Sequence, residues 1–144
     1  DWQTEFARQR DGLSELKSQG AIRAVGVSCH HHGALKLAAT DPWVDVIFAR
    51  INHKGGAAYS CDGPADEVAE TLQTARANGK FVVGMKIYGA GRLTSPADKD
   101  ASLDFVIGKR LVDAMTIGAL TIGEVDDNVD RVTRALRRHA RSPG

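Results

Sequence analysis

Val112-Asp113-Ala114-Met115-Thr116-Ile117-Gly118-Ala119-Leu120-Thr121-Ile122-Gly123-Glu124-Val125-Asp126-Asp127-Asn128-Val129 is the stretch on which the fold turns. It reads as a short buried strand that breaks at Gly118 into a tight loop and then feeds a helix whose first turn is rich in acids. Unpaired backbone N–H groups and the positive end of the helix dipole converge at such a junction, so it is a place to hold a phosphate. Any strand-to-helix unit has a turn of this kind. The stretch therefore takes its meaning from what precedes it.

Working back along the chain, the same pattern recurs. Val44 to Asn52 and Lys80 to Ile87 are β-branched, nearly continuous apolar runs, as is Ala21 to Ser28, the pattern of strands covered on both faces. Between them lie a short helix over 34–39, a helix from Pro64 to about Asn78 with Asp66, Glu67 and Glu70 near its positive end, and a helix over 102–110. The first segment places Trp2, Phe6, Leu13 and Leu16 on one face at helical spacing and stops near Gly20, so it needs something to pack on. The glycine, apolar run and second glycine of 20–27 are echoed in 79–85. The order is thus a helix followed by four strand–helix units, which predicts a parallel α/β sheet, either doubly wound or part of a (β/α)8 barrel. Four strands cannot close a barrel.

Composition excludes several classes. The 144 residues are 42% apolar and 26% charged, enough for one ordinary globular domain. A net charge of +1 with interspersed signs leaves no footprint for nucleic acid or a membrane surface, and the basic run from Arg131 to Arg141 suits the C-terminal end of a helix. Cys29 and Cys61 have no CxxC spacing, and His30-His31-His32 with His53 fits no standard zinc pattern, so no metal is expected. No apolar run is long enough to span a bilayer and no leader is visible, so a cytoplasmic location is the expectation, although the chain opens at Asp1 and its upstream sequence is unknown.

Polar residues cluster where the strands end. Ser28 and Cys29 close the first, Arg50 and Asn52 the second, Lys86 and Tyr88 the third, Thr116 and Gly118 the fourth. In parallel α/β folds that rim is the active face. Arg50 and Lys86 interrupt apolar strands, and a buried cation requires an anion; an internal acid and an anionic ligand are equally good candidates.

At this point the residues resemble a family. Gly20-Ala21-Ile22-Arg23-Ala24-Val25-Gly26-Val27-Ser28 is similar to the "GKIRAIGVSN" segment of aldo-keto reductases, and Ala114 to Val129 aligns without gaps on their "VIPGASSPEQLEENL" segment. Met85 to Gly91 looks like the "MKPLGGG" form of a subgroup of predicted oxidoreductases in that superfamily. The resemblance implies that residues 1–144 are a partial domain, the C-terminal half of a (β/α)8 TIM barrel whose N-terminal half is absent from this sequence.

It further implies NADP- or NAD-dependent reduction of a small-molecule carbonyl to an alcohol, with hydride delivered by the nicotinamide and a tyrosine as general acid. Carried over position by position, Ser28 and Cys29 would meet the carboxamide, with Arg50 reaching the same space beside Phe48. Met85 would pack on the nicotinamide ring and Lys86 would lie near the cofactor. Gly118, Ala119 and Thr121 would line the phosphates, and Asp127 and Asn128 would contact the adenine. Glu124 stands where a basic or amide residue commonly meets the adenosine phosphate, which would favour NAD. The catalytic tetrad is expected in the missing half, so the chain alone is expected to be inactive. Two other readings stay open: an aldolase-like half-barrel using Lys86 as a Schiff-base lysine, and a non-catalytic nucleotide-binding module. In either case the open sheet edges favour pairing with another half-barrel.

Overall fold

In a computed structural model, residues 2–140 are described, except for the side chains of residues 2 and 3. Asp1 and the end of the basic run at Arg141 lie outside the described residues, as does the Trp2 side chain assigned to the first apolar face. The chain runs α1 (Trp2–Glu5), α2 (Ala7–Ser18), β1 (Gly26–Ser28), α3 (His32–Thr40), β2 (Val46–Arg50), α4 (Ala65–Ala77), β3 (Phe81–Met85), α5 (Pro96–Gly108), β4 (Ala114–Met115) and α6 (Ile122–His139). Short 3-10 turns occupy Ala57–Tyr59 and Gly89–Gly91. The four strands form one parallel sheet in the order β1-β2-β3-β4. Each strand lies beside the next in sequence, which is how a barrel is wound; a doubly wound sheet reverses direction part-way.

Register decides what each side of the sheet does. Val27, Ile47 and Val82 lie side by side, as do Ser28, Phe48 and Val83. Because side chains alternate across a strand, the first row faces one side and the second faces the other. Ile47, Ala49 and Val82 are fully buried with Leu35 of α3, Val68 and Leu72 of α4, and Leu103 and Val106 of α5. That is the core. On the other side Phe48 is 36% exposed and Phe81 48%, while Ser28 and Ala114 are also open. No described element covers this inner face. At the β1 edge, a Cβ on Gly26 would come within 2.1 Å of the Val46 carbonyl oxygen, so only glycine lets β1 and β2 approach.

The lower end of the sheet is fixed twice by one device. Asp45, just before β2, accepts a hydrogen bond from the Val25 amide at 2.8 Å and pairs with Lys17 at the end of α2. Asp113, just before β4, accepts from the Val82 amide at 2.8 Å and pairs with Arg76 at the end of α4. Gly20 and Gly79, both left-handed, close the two helices. The echo between 20–27 and 79–85 thus has a counterpart in the backbone.

Three expectations change. The first helix breaks at Phe6, α2 buries no residue, and Phe6 and Leu16 remain 45% and 42% exposed. Polar contacts hold it: Arg10 to Asp41 at 2.9 Å, with its guanidinium over the Trp43 ring, and the Trp43 indole N–H to Ser14 Oγ at 2.8 Å. The first strand is shorter than 21–28, because the Ala21 and Ile22 amides turn back to the Leu16 carbonyl. The helix expected at 102 begins at Pro96, where Ser95 caps the Asp98 amide and Pro96 suits the first turn.

Candidate functional site

The carboxyl ends of all four strands lie along one rim, since the sheet is parallel and in register throughout. At the β3–β4 end of that rim is a cavity of about 750 Å³, lined by Met85, Lys86, Tyr88, Gly118, Ala119, Glu124 and Asn128 among others. This volume is in the range of small-ligand and cofactor sites. Five of the sequence-assigned residues, Met85, Lys86, Gly118, Ala119 and Asn128, therefore share one space.

Lys86 departs from the expectation of a strand-embedded cation. Strand β3 ends at Met85, and Lys86 is exposed with φ of 57°, a left-handed conformation that costs a non-glycine residue roughly 1–2 kcal/mol. Its carbonyl accepts from Asn52 Nδ2 at 3.0 Å and from the Gly89 amide at 2.8 Å, which hold the turn in place. The following Tyr88 brings its ring beneath Lys99, 5.4 Å from ammonium to ring centre. Burial, tempered by Arg131, pushes the Tyr88 phenol up to about 12, so it stays protonated at neutral pH and is a hydrogen-bond donor.

Two buried polar atoms of the cavity residues lack partners: the Tyr88 hydroxyl and Asn128 Oδ1. A buried orphan of this kind costs about 1–3 kcal/mol unless a water or ligand satisfies it. One is a donor and the other an acceptor, so the pair suits a ligand rich in hydroxyl and amine groups.

The floor of the cavity is the start of α6. Thr121 caps it, its hydroxyl accepting from the Glu124 amide at 3.2 Å, while the Glu124 carboxylate accepts from the Leu120 amide at 2.6 Å. This reciprocal cap places a negative charge where the helix dipole and free amides would otherwise meet a phosphate. Asp127, one turn on, is taken up by Arg131 at 2.8 Å and Lys99 at 3.7 Å, and the Arg131 hydrogen bond holds its carboxyl below the ordinary range. Arg131 also reaches Asp100 at 2.7 Å and so ties α6 to α5.

The β1–β2 end is built differently. Ser28 shares the inner face with Phe48, and Arg50 shares it with Met85. Arg50 is not free to meet an anionic ligand: its guanidinium donates through Nε to Asp62 Oδ1 at 2.6 Å, donates again to the same oxygen through NH2, and reaches the His30 carbonyl at 2.8 Å. Asp62, whose side chain is wholly buried, is thus the internal acid. Cys29 does not point to the rim. It is 4% exposed within the core, and burial together with Asp62 pushes its thiol up to about 11. Ser28 and Cys29 line a separate cavity of about 440 Å³ with Phe6, Leu13, His30 and Trp43. Among the described residues no group of three or more His, Cys, Asp or Glu side chains is placed to hold a metal, and no helix is long and apolar enough to cross a membrane.

The sequence reading missed Lys99 as the second cation of the larger cavity. Its signal was its place in the first turn of a helix that the reading began six residues late.

No family model matches the sequence, and no curated protein matches it. A solved structure does. The aldo-keto reductase AKR11C1 from Bacillus halodurans, in its holo form, superposes with a TM-score of 0.64 over 92% of this chain at 15% identity. The chain spans 55% of the length of that reductase. The match shows the fold: four parallel βα units forming part of a TIM barrel.

Proposed function

We propose that this chain is the cofactor-binding half of an aldo-keto-reductase-like oxidoreductase that reduces a small carbonyl compound at the expense of NADH or NADPH. The observation that carries the reading is the β3–β4 cavity, where Lys86, held in a left-handed turn, and Lys99 meet an orphaned donor–acceptor pair. Strained non-glycine residues concentrate at binding sites, where surrounding structure holds them against their preference.

A nicotinamide dinucleotide fits these residues. Lys86 and Lys99 would neutralise its phosphates, Gly118 and Ala119 would offer backbone N–H groups, and Asn128 Oδ1 would accept from the adenine amine. The Tyr88 hydroxyl would donate to a ribose oxygen. The rim continues from β4 to β1 over about 14 Å at ordinary strand spacing, so the nicotinamide would lie toward Ser28 and Met85. When bound, the cofactor supplies the hydride. In this reading the proton donor to the carbonyl is none of the rim residues named above and would be supplied from outside this chain. Glu124 sets the preference: its carboxylate caps α6 where an added 2′-phosphate would approach, so NADH is favoured.

Titration of the chain with NADH, followed by calorimetry, is expected to show saturable binding at about 10–100 μM, with no carbonyl turnover. Absence of binding at millimolar NADH defeats the reading. The aldolase-like alternative loses its main support here, because Lys86 is exposed and not desolvated in an apolar strand; borohydride trapping of a carbonyl on Lys86 would restore it.

A further inference from the structure

Two polar side chains near the rim, Asn52 and Ser102, have no exposed surface. A polar group is buried where its hydrogen bonds are made, so its partners say what it is for. Asn52, just past β2, is saturated. Its amide donates to the Tyr59 carbonyl at 2.9 Å and the Lys86 carbonyl at 3.0 Å, and its Oδ1 accepts from the Lys54 and Gly55 amides at 3.2 and 3.1 Å. Ser102, in the middle of α5, sends its hydroxyl to the Ile87 carbonyl at 2.6 Å. The preceding carbonyl, of Met85, accepts from the Ile51 amide at 3.0 Å. Three successive carbonyls, 85, 86 and 87, are thus fixed by three different groups.

Those carbonyls decide where Lys86 points. In β3, Val82 and Gly84 lie beside Ile47 and Ala49 of the core, and Met85 lies beside Arg50 on the inner side. Continued alternation would send Lys86 to the helix side, into the core. The left-handed turn at Lys86 breaks the alternation. Ile87 takes the core position instead, 1% exposed and 3.1 Å from where a Cβ on Gly84 would sit, and Lys86 is left on the cavity. That conformation is disfavoured for a lysine, so it persists only where the surrounding structure imposes it.

We propose that Asn52 and Ser102 are positioning residues for the β3–β4 cavity: they hold the Lys86 turn in its left-handed form and so aim the Lys86 ammonium at a bound anion. Neither lines the cavity itself. Asn52 also ties the turn to the loop from His53 to Gly63, through Tyr59, Lys54 and Gly55. The far end of that loop is closed by Asp62 on Arg50, whose guanidinium reaches the His30 carbonyl. A line of polar bonds therefore runs along the rim from the β1 connection to the cavity. The inference rests on the nucleotide reading above only for what the ammonium meets; the hold on the turn does not depend on it.

Amide hydrogen exchange, read by NMR, reports the hold. The Gly89 amide donates to the Lys86 carbonyl at 2.8 Å. In Ser102→Ala it should exchange about tenfold faster, whereas the Gly55 amide should stay within about threefold of the parent. An unchanged Gly89, or an equal rise at both amides, would overturn the hold. The aim of Lys86 is read by calorimetry with NADH, each variant being compared in the parent chain and in Lys86→Met. Asn52→Asp keeps Oδ1 and offers at most one hydrogen to two carbonyls. Ser102→Ala and Asn52→Asp should each weaken NADH binding by about fivefold in the parent, but by less than about twofold where Lys86 is already replaced. The same loss in both backgrounds would refute the proposal, since it means a role in stability alone. If the parent binds no NADH, the function proposed above falls, and inorganic pyrophosphate serves as the anion in the same comparison. Failure of pyrophosphate to bind as well would overturn the proposal, because the ammonium then meets no anion. If Asn52→Asp does not fold, Ser102→Ala carries both measurements.

Discussion

The two faces of this sheet, made from the same strands, are in opposite conditions. On the helix side Ile47, Leu72, Val82 and Leu103 are fully buried, whereas on the inner side Phe48 and Phe81 expose a third to a half of their surface. Stability thus comes from one face and the lower clamps. The other face, with the rim above it, is left uncovered by any described element. A protein that invests its core on one side of a sheet should tolerate change on the other, and that contrast can be measured.

The largest effect is expected on the covered side. Leu72→Ala removes a side chain with no exposed surface and should lower unfolding free energy by about 3 kcal/mol, with cavity formation adding to the lost burial. Phe48→Ser, compared by urea titration, should lower it by about 1–2 kcal/mol, less than Leu72→Ala because a third of the Phe48 surface already meets solvent. Equal costs would mean that the inner face is packed in solution.

At the rim, Lys86→Gly is expected to move two quantities in opposite directions. Relief of the left-handed strain should raise stability by about 1 kcal/mol, while loss of the cation should weaken NADH binding by about tenfold. A variant that is more stable and binds equally well would remove Lys86 from the site. Glu124→Gln keeps a side-chain acceptor for the Leu120 amide but removes the charge. It should shift the ratio of NADPH to NADH affinity toward NADPH by about fivefold, roughly 1 kcal/mol of relieved repulsion. An unchanged ratio would place the 2′-phosphate elsewhere.

The smallest effect concerns pH. Asp45 is held below its usual range by the Lys17 hydrogen bond and the Val25 amide. Asp104 is lowered too: burial acts against this, but hydrogen bonds from Arg138 and His139 outweigh it. A carboxyl lowered in the folded state binds fewer protons there than in the unfolded chain, so its contribution is complete above the unfolded value near 3.9 and fades as pH falls through the folded one. The melting temperature should therefore be insensitive to these groups above about pH 5 and decline below about pH 4. Asp45→Asn should flatten that decline slightly; an unchanged decline would mean that Asp45 carries no such linkage.

The alternation of strands and helices was legible because apolar runs at 44–52 and 80–87 and a helix pattern at 64–78 have distinct periods. Element ends were less so. The first turn of α5, Pro96-Ala97-Asp98-Lys99-Asp100, is polar and hides the apolar spacing that begins at Ser102, although Ser95-Pro96 is itself a cap signal. The β3–β4 grouping of Met85, Lys86, Gly118, Ala119 and Asn128 followed from strand order, whereas partners depended on loop conformation. Nothing in sequence ties Arg50 to Asp62 twelve residues away, and nothing marks Lys86 as lying past its strand in a left-handed turn. Cys29 was misplaced because alternation beyond the end of β1 turns it toward the helices.

The paired aspartates beneath the sheet have a practical consequence. Because Asp45 and Asp113 tie the strand beginnings at the end opposite the rim, insertions at exposed Ala57 and Ala58 in the loop from His53 to Gly63 leave the groups that register the strands in place, so long as Asp62 keeps its hold on Arg50. Grafts aimed at new ligands belong on the upper connections, and the lower ones should be left as they are.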